Sequence, residues 1–100
     1  MQREPSAERV AAFLAEQRRG GLSYRDVGAS RSGAPAGFNV DHNRVRLGEG
    51  ERAWEAAVAA LRAWTMFPGP WTRIEPAGAA QREGEVVAML AHLYGVWWLN

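Results

Sequence analysis

The chain has 100 residues, of which 47% are hydrophobic and 23% charged, with a formal net charge of +1. That describes one small domain, able to bury about 60–65% of its unfolded surface. All 12 basic residues are Arg but they are scattered, which excludes the clustered basic face of a nucleic-acid binder. The absence of Cys excludes disulfides, thiolate zinc sites and a cysteine nucleophile.

Ser6 is placed to cap a first helix whose apolar positions are Val10, Phe13 and Leu14. Arg18-Arg19 suit its negative end, and Gly20-Gly21 stop it. Residues 1–20 are therefore an N-terminal amphipathic helix, and residues 21–100 form the body of the domain. From Gly21 to Gly37 the chain is rich in Gly, Ala and Ser, anchored by Leu22, Tyr24 and Val27, and reads as a loop or short edge strand.

Phe38 to Leu47 is expected to be a strand with a phase change. Phe38 and Val40 share one face, Val45 and Leu47 the other, and a bulge near His42-Asn43 would reconcile them. A second helix runs from Gly50 to about Thr65, with Trp54, Ala57, Val58, Leu61 and Trp64 as a continuous apolar stripe expected to face the core. Pro68-Gly69-Pro70 forbids its continuation. Three strands in meander spacing complete the order: Trp71 to Glu75, Glu85 to about Leu93, and Val96 onward after a turn at Tyr94-Gly95. Strands segregated from helices point to an α+β domain with an antiparallel sheet.

No motif for nucleotide binding, metalloprotease chemistry or a serine nucleophile is present. Asp41-His42-Asn43 is the densest polar cluster, but neighbours on a strand point to opposite faces, so a structural bulge is the reading preferred over a catalytic one. His92, late in an apolar strand, reads as a core or edge histidine, and two His with no positioned carboxylate make a poor zinc site. No cofactor or metal is expected. The Trp residues are mostly core by their spacing, the alternative being an apolar cavity lined by Trp64, Trp71 and Trp97 or Trp98.

The segments Leu22-Ser23-Tyr24-Arg25-Asp26-Val27-Gly28-Ala29, Pro35-Ala36-Gly37-Phe38 and Arg44-Val45-Arg46-Leu47-Gly48-Glu49-Gly50 carry a family resemblance. It continues through Trp54, Ala57, Ala60, Leu61, Trp64, Met66, Trp71 and Gly84-Glu85-Val86-Val87. Over about residues 20 to 100 the chain resembles the DUF1990 family, a domain of unknown function, with Trp54 where Phe is more usual. The resemblance implies the N-terminal part of a longer α+β domain, incomplete here, in which further strands and a C-terminal helix hold the most polar stretches. It also implies likeness to a helix-grip, START-like fold, an architecture that holds apolar ligands; fold alone does not establish function.

The preferred expectation is a non-enzymatic domain binding an apolar small molecule between helix and sheet, with Tyr24, His42, Trp64, Trp71 and Trp97 as candidate binding residues. Two alternatives belong to other classes. One is an interaction or self-associating module, a homo-oligomer formed through the exposed edge of the last strand. The other is the remnant of an enzyme whose site lay in the missing half, with His42 and Arg44 as the only contribution from this one. The segment Met1 to Pro5 lacks the apolar stretch of a secretory signal. The longest apolar run, Val86 to Leu99, is broken by His92 and Gly95 and falls short of the roughly 20 residues of a membrane span. A cytoplasmic location is expected.

Overall fold

A computed structural model describes residues 2–33, 35–67 and 69–100. Its elements are helix α1 (Ala7–Arg19), helix α2 (Gly50–Arg62) and strands β1 (Thr72–Glu75), β2 (Ala88–Leu93) and β3 (Val96–Leu99). The strands form one antiparallel sheet in the order β1-β2-β3. The fold is α+β, as the segregation of strands from helices implied.

Helix α1 begins where its chemistry dictates. The Ser6 hydroxyl accepts from the Arg9 amide at 3.1 Å, and Glu8 and Arg18-Arg19 lie at the ends that the helix dipole favours. Its apolar stripe lands on the sheet: Val10 and Leu14 are buried with Ala88 and Leu90, and Phe13, Val86, Trp97 and Leu99 pack around them. Leu90 pairs with Arg73 on one side and Leu99 on the other, at the centre of the sheet. Period-two alternation therefore puts Glu75, Arg73, Ala88, Leu90, His92, Trp97 and Leu99 on the face that α1 covers. The opposite face carries Thr72, Ile74, Met89, Ala91, Leu93, Val96 and Trp98.

The turn joining β2 to β3 has both Tyr94 (φ 53°) and Gly95 (φ 72°) in the left-handed region, the geometry of a two-residue type I′ hairpin. Tyr94 is 98% exposed, so the glycine after it, rather than any packing, makes the turn affordable. The ladder runs one residue beyond β3, where Met89 and Asn100 exchange both backbone hydrogen bonds at 2.7 and 2.9 Å.

Three expectations need correction. Residues 38–47 form no strand: the segment has no regular structure, and Val45 and Leu47 are 78% and 73% exposed. A strand exists only through a neighbour that accepts its amides, and both edges of the meander leave this segment aside. The Asp41-His42-Asn43 bulge disappears with it. The strand expected from Glu85 starts at Ala88, because Glu85 closes a turn by donating its amide to Arg82 O at 3.1 Å.

The third correction concerns α2, which ends at Arg62 rather than Thr65 and contains no buried residue. Trp54 is 68% exposed, so the stripe expected to be core is largely open to solvent. The end of the helix is well defined. Trp64 adopts φ 57° and its amide donates to Leu61 O, while the Thr65 amide reaches back to Ala60 O, both at 3.1 Å. This is the Schellman arrangement, with tryptophan at the left-handed position that glycine usually takes. A loop following β1 holds the distortion in place: the Trp64 indole donates to Ala79 O at 2.8 Å, and the Gln81 side-chain Nε2 donates to Leu61 O.

Candidate functional site

The loop between the helices builds a concavity of about 500 Å³. Its shape follows from local turns. Gly28 sits at φ 74° and starts a 3-10 turn over Ala29–Arg31, in which the Ala29 amide donates to Asp26 O and the Arg31 amide to Gly28 O. The Gly33 amide then closes back onto Ala29 O at 3.0 Å. Gly37, at φ 87°, redirects the chain so that residues 38 to 42 line the same hollow as Tyr24. A β-carbon at Gly28 or Gly37 would meet open space but not an acceptable backbone conformation.

The walls are largely apolar, from Tyr24, Pro35, Phe38 and Val40. Tyr24 and Phe38 remain 51% and 53% exposed, which leaves aromatic surface for a ligand to cover. Asp26, Ser30, Asn39, Asp41 and His42 supply the polar groups, and no Arg lines the hollow. The wall thus combines two carboxylates with aromatic faces, an environment that favours hydrogen-bond donors and cations over anions. Although Asp26, Asp41 and His42 share the concavity, no group of three or more His, Asp or Glu among the described residues could hold a metal ion.

The structure distributes the five candidate binding residues over three places. Tyr24 and His42 meet in the concavity. Trp64 lies just past α2, tied to Ala79 as described. Trp71 and Trp97 flank the central strand: the His92 amide donates to Trp71 O at 2.8 Å, and Trp97 stacks its ring on that of His92. Residues that sequence reasoning passed over, Phe38, Val40 and Asp26, complete the wall around Tyr24. The signal for them was present in the density of glycine and proline between residues 28 and 37, which lets a chain double back on itself.

The sheet carries a second polar group, around Arg73. Its guanidinium lies 5.8 Å from the Trp97 ring centroid and pairs with Glu4 and, at 3.2 Å, with Glu75. Hydrogen bonding to Glu4 raises the Arg73 pKa above its ordinary value, with Glu75 adding to the effect and desolvation opposing it. With its charge engaged by two carboxylates, Arg73 clamps the N-terminal segment to β1.

No helix among the described residues is long and apolar enough to cross a membrane. No solved structure matches the chain significantly. Among curated proteins it is similar to a UPF0548 protein of Deinococcus radiodurans, 40% identical over 100 residues that cover 95% of this chain and 50% of that protein. A UPF0548 protein of Dictyostelium discoideum is 25% identical over 108 residues, covering 98% of this chain and 50% of the relative. The chain therefore spans about half the length of the curated relatives it matches. The model of a domain of unknown function, DUF1990, matches residues 23–100, a stretch that holds the concavity, α2 and the whole sheet. The chain belongs to the DUF1990 family.

Proposed function

We propose that this chain is a binding domain that takes a small, largely apolar molecule into the concavity formed by residues 24 to 42. The observation that carries the reading is the joint presence, in one hollow of about 500 Å³, of apolar walls and a few convergent polar groups. Hollows of that size and composition are the usual form of small-molecule sites. The two carboxylates and the absence of Arg from the wall favour a ligand whose polar end donates hydrogen bonds or carries positive charge. Covering the exposed halves of Tyr24 and Phe38 would contribute about 1 kcal/mol each. The proposed ligand thus lies in the interhelical loop rather than between helix and sheet.

The test is a titration with N-phenyl-1-naphthylamine, a neutral fluorescent apolar probe. Saturable one-to-one binding is expected, weakened about tenfold by Phe38→Ala and unchanged by Leu61→Ser on α2. Absence of saturable binding by a folded chain, or loss through Leu61→Ser alone, would overturn the proposal.

A further inference from the structure

Much of the apolar stripe of α2 is open to solvent. Trp54 and Leu61 are 68% and 53% exposed, Val58 is half-buried, and no residue of the helix is buried. Helix α1 contributes Val10 and Leu14 to the core cluster on the sheet, and no residue of α2 belongs to that cluster. A helix of this kind gains most of its stability by burying its apolar side, so an amphipathic helix open along that side fits a surface made to be covered. The stripe is also shaped. Trp54, Val58 and Ala59 floor a groove of about 340 Å³, with Glu51 and Glu55 toward one end and Arg62 at the other.

The length of the relatives supplies a candidate to cover it. The match to the Deinococcus radiodurans protein takes in nearly all of this chain but half of that one, so about as many residues again lie outside the match. The Dictyostelium discoideum relative shows the same proportion. We infer that the α2 groove is a docking face for the half of the family's length that lies outside the match. The docking segment presents apolar side chains to Trp54, Val58 and Ala59 and basic ones to Glu51 and Glu55. The inference stands independently of the ligand proposed for the concavity, which shares no residue with the groove.

Hydrogen–deuterium exchange of the α2 amides reads this directly. In the intact Deinococcus radiodurans relative, amides aligned with residues 50–62 are expected to exchange at least about tenfold more slowly than those of this chain alone. A chimera in which this chain replaces the matched half of that relative should show the same slowing. Trp54→Asp in the chimera should remove it while leaving the β2 amides protected. Equal α2 exchange in the relative and in this chain would overturn the inference, whether or not the chimera folds. Protection that appears in this chain alone as its concentration rises would also overturn it, by making a second copy the occupant.

Discussion

The rings of His92 and Trp97 stack at 4.5 Å between centroids with only 3° between their planes. They are cross-strand partners on β2 and β3, and the same indole reaches toward the Arg73 guanidinium on β1. One side chain on an edge strand thereby links all three strands on the face that α1 covers. Trp97→Ala is expected to destabilise the domain by about 3 kcal/mol, through lost burial and lost stacking. Trp97→Phe should recover more than half of that. Urea denaturation followed by far-ultraviolet circular dichroism measures both.

Leu90 is fully buried at the middle of the sheet, whereas Trp54 is mostly exposed. Leu90→Ala should cost about 2–5 kcal/mol, most of the margin of a domain this small. Trp54→Ser should change stability by less than about 0.5 kcal/mol, as substitutions on an open surface do. A Trp54→Ser loss as large as that of Leu90→Ala would show that α2 is packed in solution. Equilibrium unfolding of the two variants side by side decides it.

At the end of α2, the Trp64 indole and the Gln81 side chain both hold the loop that follows β1. Trp64→Phe keeps the aromatic surface but removes the bond to Ala79 O, and is expected to cost about 1 kcal/mol. Trp64→Gly would relieve the left-handed backbone but lose both anchor and surface, so it should be the less stable of the two. Thermal melts of the pair give the order.

The clamp between Glu4 and Arg73 is part-exposed, and such pairs contribute under about 1 kcal/mol. Glu4→Gln is therefore expected to lower stability only slightly, by an amount that added salt erases. Because the folded-state pKa of Arg73 is raised, its contribution is complete below the ordinary arginine value and is lost only as pH climbs past the raised one. Stability measured across neutral pH should show no step from this group.

Much of the architecture is written locally and could be read without coordinates. Ser6 with Val10 and Leu14, the Tyr94-Gly95 turn, and three apolar runs in meander spacing each specify their element through their own neighbours. Two of the misreadings share one cause. Phe38 to Leu47 has strand-like alternation, and Trp54 to Leu61 helical spacing, but whether such patterns pair or become buried depends on distant chain. Residues 38–47 find no strand to pair with, and α2 finds no surface to lie on. Of the candidate binding residues, Tyr24 and His42 meet because glycines between them reverse the chain, a local cause. Where Trp64, Trp71 and Trp97 sit depends on a helix end and a strand register, neither of which their own neighbours specify.

The concavity is tested most directly by two-dimensional 1H–15N NMR of the chain titrated with N-phenyl-1-naphthylamine. Saturable shift changes concentrated in the amides of residues 24–42, saturating at about tenfold higher probe concentration in Phe38→Ala, are the predicted result. Changes confined to residues 50–62 of α2, or spread evenly without saturation, would contradict a binding site in the loop.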